Sequence, residues 1–202
     1  HSIHGTAWLA SWRTVQQKTD EITLSYQHDA QDIEASGWPW TFNALQTLKL
    51  NRHGLKIELS ITNTDAQRMP AGLGLHPFFP APAGTRLFSQ FSHELQVNRQ
   101  GFPVAPRPLS GGGDPLKGAF LGRRHLDNIF TGRKGAMQLY WPDRAWKLTI
   151  QPSEQLPHTV IYAPQSEDFI CVEPISHIPN ILNSASVFRE IKNAPMRILA
   201  CG

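Results

Sequence analysis

Residues 55–62 read LKIELSIT, and the alternation there is complete. Leu55, Ile57, Leu59 and Ile61 fall on one side of an extended chain; Lys56, Glu58, Ser60 and Thr62 fall on the other. A side-chain period of two belongs to a strand with one face on a core and one toward water, the common state in antiparallel sheets. The rhythm recurs along the chain. ITLSYQH (22–28), LQTLKL (45–50), HELQVN (93–98), MQLYW (137–141), WKLTIQP (146–152), HTVIYAP (158–164) and FICVEP (169–174) all read as strands. The 16 prolines and 15 glycines are spread over the whole length and cut the chain into short segments. No window holds a long helical stripe; the best helical candidate is the tail of ILNSASVFREIKN (181–193), and GGGDP (111–115) reads as a loop. Short strands with turn signals between them predict an all-β domain, a sandwich or a barrel.

The composition removes several function classes. The 202 residues suit one domain, 1–202, able to bury a core, and 40% hydrophobic with 17% charged residues is not the balance of a disordered chain. The net charge is +3, but Lys and Arg are scattered and their densest cluster is Arg123-Arg124, so no nucleic-acid partner is expected. No apolar run reaches the ~18–20 residues of a spanning helix, so no membrane partner is expected either. The chain starts at His1 with no signal-peptide pattern, which suggests that something upstream has been removed. Cys171 and Cys201 make neither a disulfide framework nor a C-x-x-C pair, and Cys171, inside FICVEP, reads as a small core residue. Nine histidines occur without an H-x-x-x-H or H-x-H pair, so the spacing gives no sign of a metal site. GGGD lacks both the P-loop lysine and the dinucleotide spacing, and no G-x-S-x-G elbow is present.

Four polar positions lie beside aromatics and a turn: His4 in HGTAWLASW, His76 in MPAGLGLHPFF, Asp127 in LDNIFTG and Glu173 in FICVEPISHIPN. Alternation puts Cys171 and Glu173 on one strand face and Ile170 and Val172 on the other. A carboxylate at the end of so apolar a strand is partly desolvated, which raises its pKa toward the range of a general base. The plainer reading is a strand-end glutamate paired with an arginine or capping a turn. His76 is either a core histidine with a satisfied ring or a group placed for chemistry. The nearby Gly72 and Gly74 favour close approach of a ligand or another backbone. Phe78 and Phe79 offer a flat surface to a sugar ring, or belong to the core.

Taken in order, the early HG, MPAGLGLHPFF preceded by GLKIELSITNTDAQ, the LDNIFTG turn and the CVEP…PN stretch resemble the aldose 1-epimerase (galactose mutarotase) family, over nearly the whole chain. The resemblance implies an antiparallel β-sandwich of the galactose mutarotase type and a cytoplasmic isomerase that interconverts the α and β anomers of a hexose. It implies a small-molecule sugar substrate, no cofactor and no metal, and a monomer or homodimer. Carried over position by position, Glu173 is the base that takes the anomeric hydroxyl proton and His76 the acid that protonates the ring oxygen. His4 supports the acid near the ring oxygen, and Asp127 binds sugar hydroxyls; beside these, the rings of Phe78 and Trp8 are expected to bind the sugar face. Acid–base help of this kind contributes about 10²–10⁴-fold per group.

Two departures bear on the substrate and on completeness. Many relatives carry an arginine shortly after the HG, where this chain has Trp8. Tryptophan stacks on a sugar face but does not grip phosphate bidentately. That leans away from a hexose-6-phosphate mutarotase, while Arg13, Arg123 and Arg124 keep that alternative open, as does a non-catalytic carbohydrate-binding protein on the same fold. Family members also have strands before the HG motif and beyond a segment like 196–202. The expectation is therefore a fragment or short member lacking outer strands at both ends, with exposed sheet edges.

Overall fold

The computed structural model describes residues 4–32, 37–109, 125–165 and 167–183, together with the backbone of a strand at 196–201. In chain order the strands are β1 (Arg13–Gln17), β2 (Glu21–His28), β3 (Phe42–Asn51), β4 (Gly54–Asn63), β5 (Phe78–Pro80), β6 (Arg86–Phe88) and β7 (His93–Val97). They continue as β8 (Pro103–Pro108), β9 (Leu126–Thr131), β10 (Met137–Trp141), β11 (Trp146–Pro152), β12 (His158–Ala163), β13 (Phe169–Ile175) and β14 (Met196–Cys201). Only single 3-10 turns, Pro142–Arg144 and Ile181–Asn183, interrupt them, and no α-helix occurs among the described residues. The fold is all-β and antiparallel, as the alternation requires. Of the helical candidate, the start is the Ile181–Asn183 turn; its tail and the GGGDP loop lie outside the described residues.

The described residues form two compact units, the first running to Leu73 and taking in β14 as far as Ala200, the second starting at Gly74. In the first, β1 to β4 follow one another as antiparallel neighbours and β14 lies next to β4. The LKIELSIT pattern sets the register: Leu55, Ile57 and Leu59 face Leu50, Leu48 and Gln46 of β3. His28 is buried there, stacked on Phe42 at 5.0 Å, with its Nε2 against the Trp38 carbonyl at 2.9 Å. A carbonyl only accepts, so Nε2 carries the proton of a satisfied core histidine.

In the second unit, β11, β10 and β6 run side by side, and a six-stranded sheet has the order β5-β13-β12-β9-β7-β8. Leu87, Met137 and Leu139 from the first set bury against Phe130, Ile161, Ile170 and Val172 from the second. Each such side chain contributes about 1.5–3 kcal/mol by leaving water. Phe91 adds a stacked contact to Phe130 at 5.1 Å. Ile170 and Val172 point into this core, so the alternating residues Phe169, Cys171 and Glu173 turn to the opposite face of β13.

Candidate active site

That opposite face carries the candidate site. Cross-strand partners share a face, so β13 register extends it: Cys171 stands between Phe78 of β5 and Tyr162 of β12, and Tyr162 stands beside Asp127 of β9. One pleat further, Glu173 pairs with Val160, and Val160 with Ile129. LDNIFTG had read as a turn. It is a strand through Thr131, and the turn comes at Gly132, whose φ of 66° suits glycine.

His76 reaches this face by a backbone tether. Gly74 bridges Ile175 as an isolated antiparallel pair, and the Leu75 amide donates to the Pro174 carbonyl at 3.1 Å. A Cβ on residue 74 would lie 2.7 Å from Ile175 Cγ2. The glycine is therefore required by the close approach of β13, where the sequence left ligand and backbone as alternatives. Held in this way, His76 places Nε2 3.1 Å from Glu173 Oε1. Its ring stacks on Phe78 at 4.8 Å, and Phe78 meets Phe169 at 5.2 Å. Phe169 in turn meets Tyr162 at 6.1 Å.

The electrostatics follow from burial. Glu173 is 7% exposed. Desolvation first, and the negative charge of Asp127 second, push its carboxyl up from 4.5 to about 7. Among the described residues its ion-pair partner is thus the histidine and not an arginine. Burial, with Glu173 adding to it, pushes the Cys171 thiol up to about 12, so it is a neutral thiol. A carboxyl raised in this way and in contact with an imidazole suits general acid–base work.

The remaining sequence candidates stand as follows. Phe78 is 54% exposed and forms part of the aromatic wall. Asp127 is exposed on the same sheet face as Glu173. His4 and Trp8 belong to the first unit, where their rings lie 4.8 Å apart; His4 has a φ of 67°, left-handed and costly for a non-glycine residue. Arg123 and Arg124 lie outside the described residues. Sequence reading missed Tyr162 and Phe169. Phe169 had a signal, since it shares the period-two face of Cys171 and Glu173 in FICVEP, whereas Tyr162 joins that face only through its pairing with Cys171.

A buried carboxyl held against a histidine on an antiparallel all-β scaffold, with aromatics beside it, is an arrangement chemically capable of proton transfer. A sequence model described as aldose 1-epimerase matches residues 1–192, and the chain belongs to that family. Among its relatives is YphB, an uncharacterized protein of Escherichia coli (strain K12), 28% identical in an alignment 192 residues long that covers 89% of this chain and 62% of that protein. The chain thus spans less than two thirds of that relative's length. The Slr1438 protein from Synechocystis sp. PCC 6803 superposes with a TM-score of 0.70 at 28% identity, over 86% of this chain and 58% of that one. A galactose mutarotase-like protein from Clostridium acetobutylicum gives a TM-score of 0.82 over 95% of this chain and 65% of that one; at 14% identity it speaks for the fold alone. The fold is accordingly galactose mutarotase-like. No helix among the described residues is long and apolar enough to cross a membrane.

Proposed function

We propose that the chain carries the acid–base site of an aldose 1-epimerase, interconverting the α and β anomers of a hexose by ring opening. The observation that carries this is the contact between His76 Nε2 and Glu173 Oε1 at 3.1 Å, with the carboxyl held near 7. The reaction moves one proton off the anomeric hydroxyl and one onto the ring oxygen. Those two oxygens share a carbon. Two groups in contact with each other can therefore address both oxygens when a sugar enters between them.

In this reading Glu173, once deprotonated, takes the hydroxyl proton while protonated His76 gives one to the ring oxygen. The C1–O5 bond breaks, the aldehyde turns about C1–C2, and the reverse transfers close the ring on the other face. Each group returns to its starting state after closure. The pocket's low polarity favours the exchange, because a carboxylate short of water is a stronger base. Phe78 supplies an apolar surface for the sugar's carbon-bound hydrogens, and Asp127 accepts from sugar hydroxyls.

Saturation-transfer NMR tests the reading. Irradiating the α-anomer proton of glucose, galactose or glucose 6-phosphate should diminish the β signal only when protein is present. The exchange should vanish in Glu173→Gln. Exchange that survives this substitution would sink the assignment of the base. Sugar binding without exchange would favour a carbohydrate-binding protein, and a preference for glucose 6-phosphate would favour the phosphosugar alternative.

A further inference from the structure

Cys171 shares the site face with Glu173, two residues earlier on β13, and no step of the sugar chemistry uses it. Yet one ligand atom from each of His76, Cys171 and Glu173 lies within 4.8 Å of the other two. Imidazole nitrogen, sulfur and carboxylate oxygen are the donors that zinc takes. Around a tetrahedral ion, bonds of ~2.3 Å to sulfur and ~2.0–2.2 Å to nitrogen and oxygen set ligand atoms roughly 3.3–3.7 Å apart. Since His76 and Glu173 already stand 3.1 Å apart, shifts of about 1 Å or less would complete that geometry.

We propose that His76 Nε2, Cys171 Sγ and a Glu173 oxygen form a binding site for Zn2+ or a similarly soft divalent cation, with its fourth position open to water. The charges balance: one thiolate and one carboxylate offset the double positive charge, and the imidazole is neutral. That neutrality matters where Cys171 is 0% and Glu173 7% exposed, because buried ions persist when they are coordinated or paired. Binding releases the thiol proton, and any proton held between His76 and Glu173, to solvent. Entry runs past His76, half-buried, and Phe78, exposed. A bound ion occupies the Nε2 lone pair and the carboxylate, so the metal-bound form has neither group left for proton transfer. Metal and sugar chemistry compete for the same two side chains. The metal site goes beyond the epimerase reading and stands whether or not the pair turns sugar over.

Co2+ is the probe, in a Cys201→Ser background where Cys171 is the remaining thiol. The expected result is a saturable thiolate-to-cobalt charge-transfer band with the visible bands of a four-coordinate ion, displaced by Zn2+. Adding Cys171→Ser should abolish the charge-transfer band and weaken Zn2+ binding roughly tenfold or more. Glu173→Gln and His76→Asn should each weaken Zn2+ to a similar degree. They carry the test if circular dichroism shows the buried serine variant unfolded. Absence of the band in the Cys201→Ser protein, or Zn2+ affinity unchanged in the folded variants, would overturn the proposal. Zinc binding by a chain that exchanges no anomers would remove the epimerase reading and leave the metal site standing.

Discussion

Glu173→Gln is expected to stabilise the protein at alkaline pH while abolishing turnover. Folding moves the Glu173 carboxyl from 4.5 to about 7, through burial first and Asp127 second. Between those values the folded protein holds more protons than the unfolded chain, so unfolding free energy falls as pH rises. The carboxyl's contribution is intact below the unfolded value and lost above the folded one. At 1.36 kcal/mol per pH unit, the gap between 4.5 and about 7 amounts to about 3 kcal/mol. Solvent screening takes little from this, because the side chain is 9% exposed. Glutamine has nearly the same shape and no proton to lose. Urea unfolding of both proteins at about pH 5 and about pH 8.5 is the assay. The wild type should lose about 2–3 kcal/mol more than the variant between them, part of the loss having begun by the lower pH. Parallel pH dependence in the two proteins would refute the reasoning, since it would mean that folding does not hold the carboxyl proton. A stabilised variant that no longer exchanges anomers would mark the carboxylate as kept for chemistry at a cost to the fold.

Asp127→Asn removes the second cause of the raised Glu173 pKa, so the rising limb of the pH–rate profile should move to lower pH; an unmoved limb would show that Asp127 does not act on the base. Phe78→Ala should weaken sugar binding by about 0.5–1.5 kcal/mol, read as a roughly threefold to tenfold rise in Kd by titration, and an unchanged Kd would place Phe78 outside the sugar contact. Gly74→Ala forces a methyl to within 2.7 Å of Ile175 Cγ2; it should cost about 1–3 kcal/mol and slow anomer exchange by displacing His76, and adding Ile175→Ala should restore the rate if the contact is the cause.

What could be read from the sequence was whatever depends on a period of two. The strands from ITLSYQH to FICVEP appear within a few residues of where alternation put them, because each has one face committed to a core. The missed strands have no such signature. Arg13–Gln17 is exposed throughout, Phe78–Pro80 and Arg86–Phe88 are three residues each, and Pro103–Pro108 carries three prolines. LDNIFTG misled because Asp, Asn and Gly are turn residues by local propensity, whereas pairing with both β12 and β7 makes it a strand. The metal-type cluster was invisible for a different reason. Its histidine lies 95 positions before Cys171 by the numbering and meets it through the Gly74–Ile175 bridge and the pairing of β5 with β13, contacts that no local spacing encodes.

The register of β13 makes the core and the site depend on one another. Val172 sits at 0% exposure in the apolar core, and the next residue, Glu173, carries the raised carboxyl on the other face. A slip of one position would send Glu173 into the cluster with Phe130 and Ile161 and turn Val172 toward His76. Burying the carboxylate without its partner is prohibitive, and an apolar residue facing His76 would leave the imidazole no acid–base partner. The same alternation that buries Ile170 and Val172 therefore also excludes the one-residue slip that would break the proton-transfer pair. Local fold and proposed chemistry are specified by one seven-residue strand, and the tether at Gly74 supplies the single partner that strand cannot provide for itself.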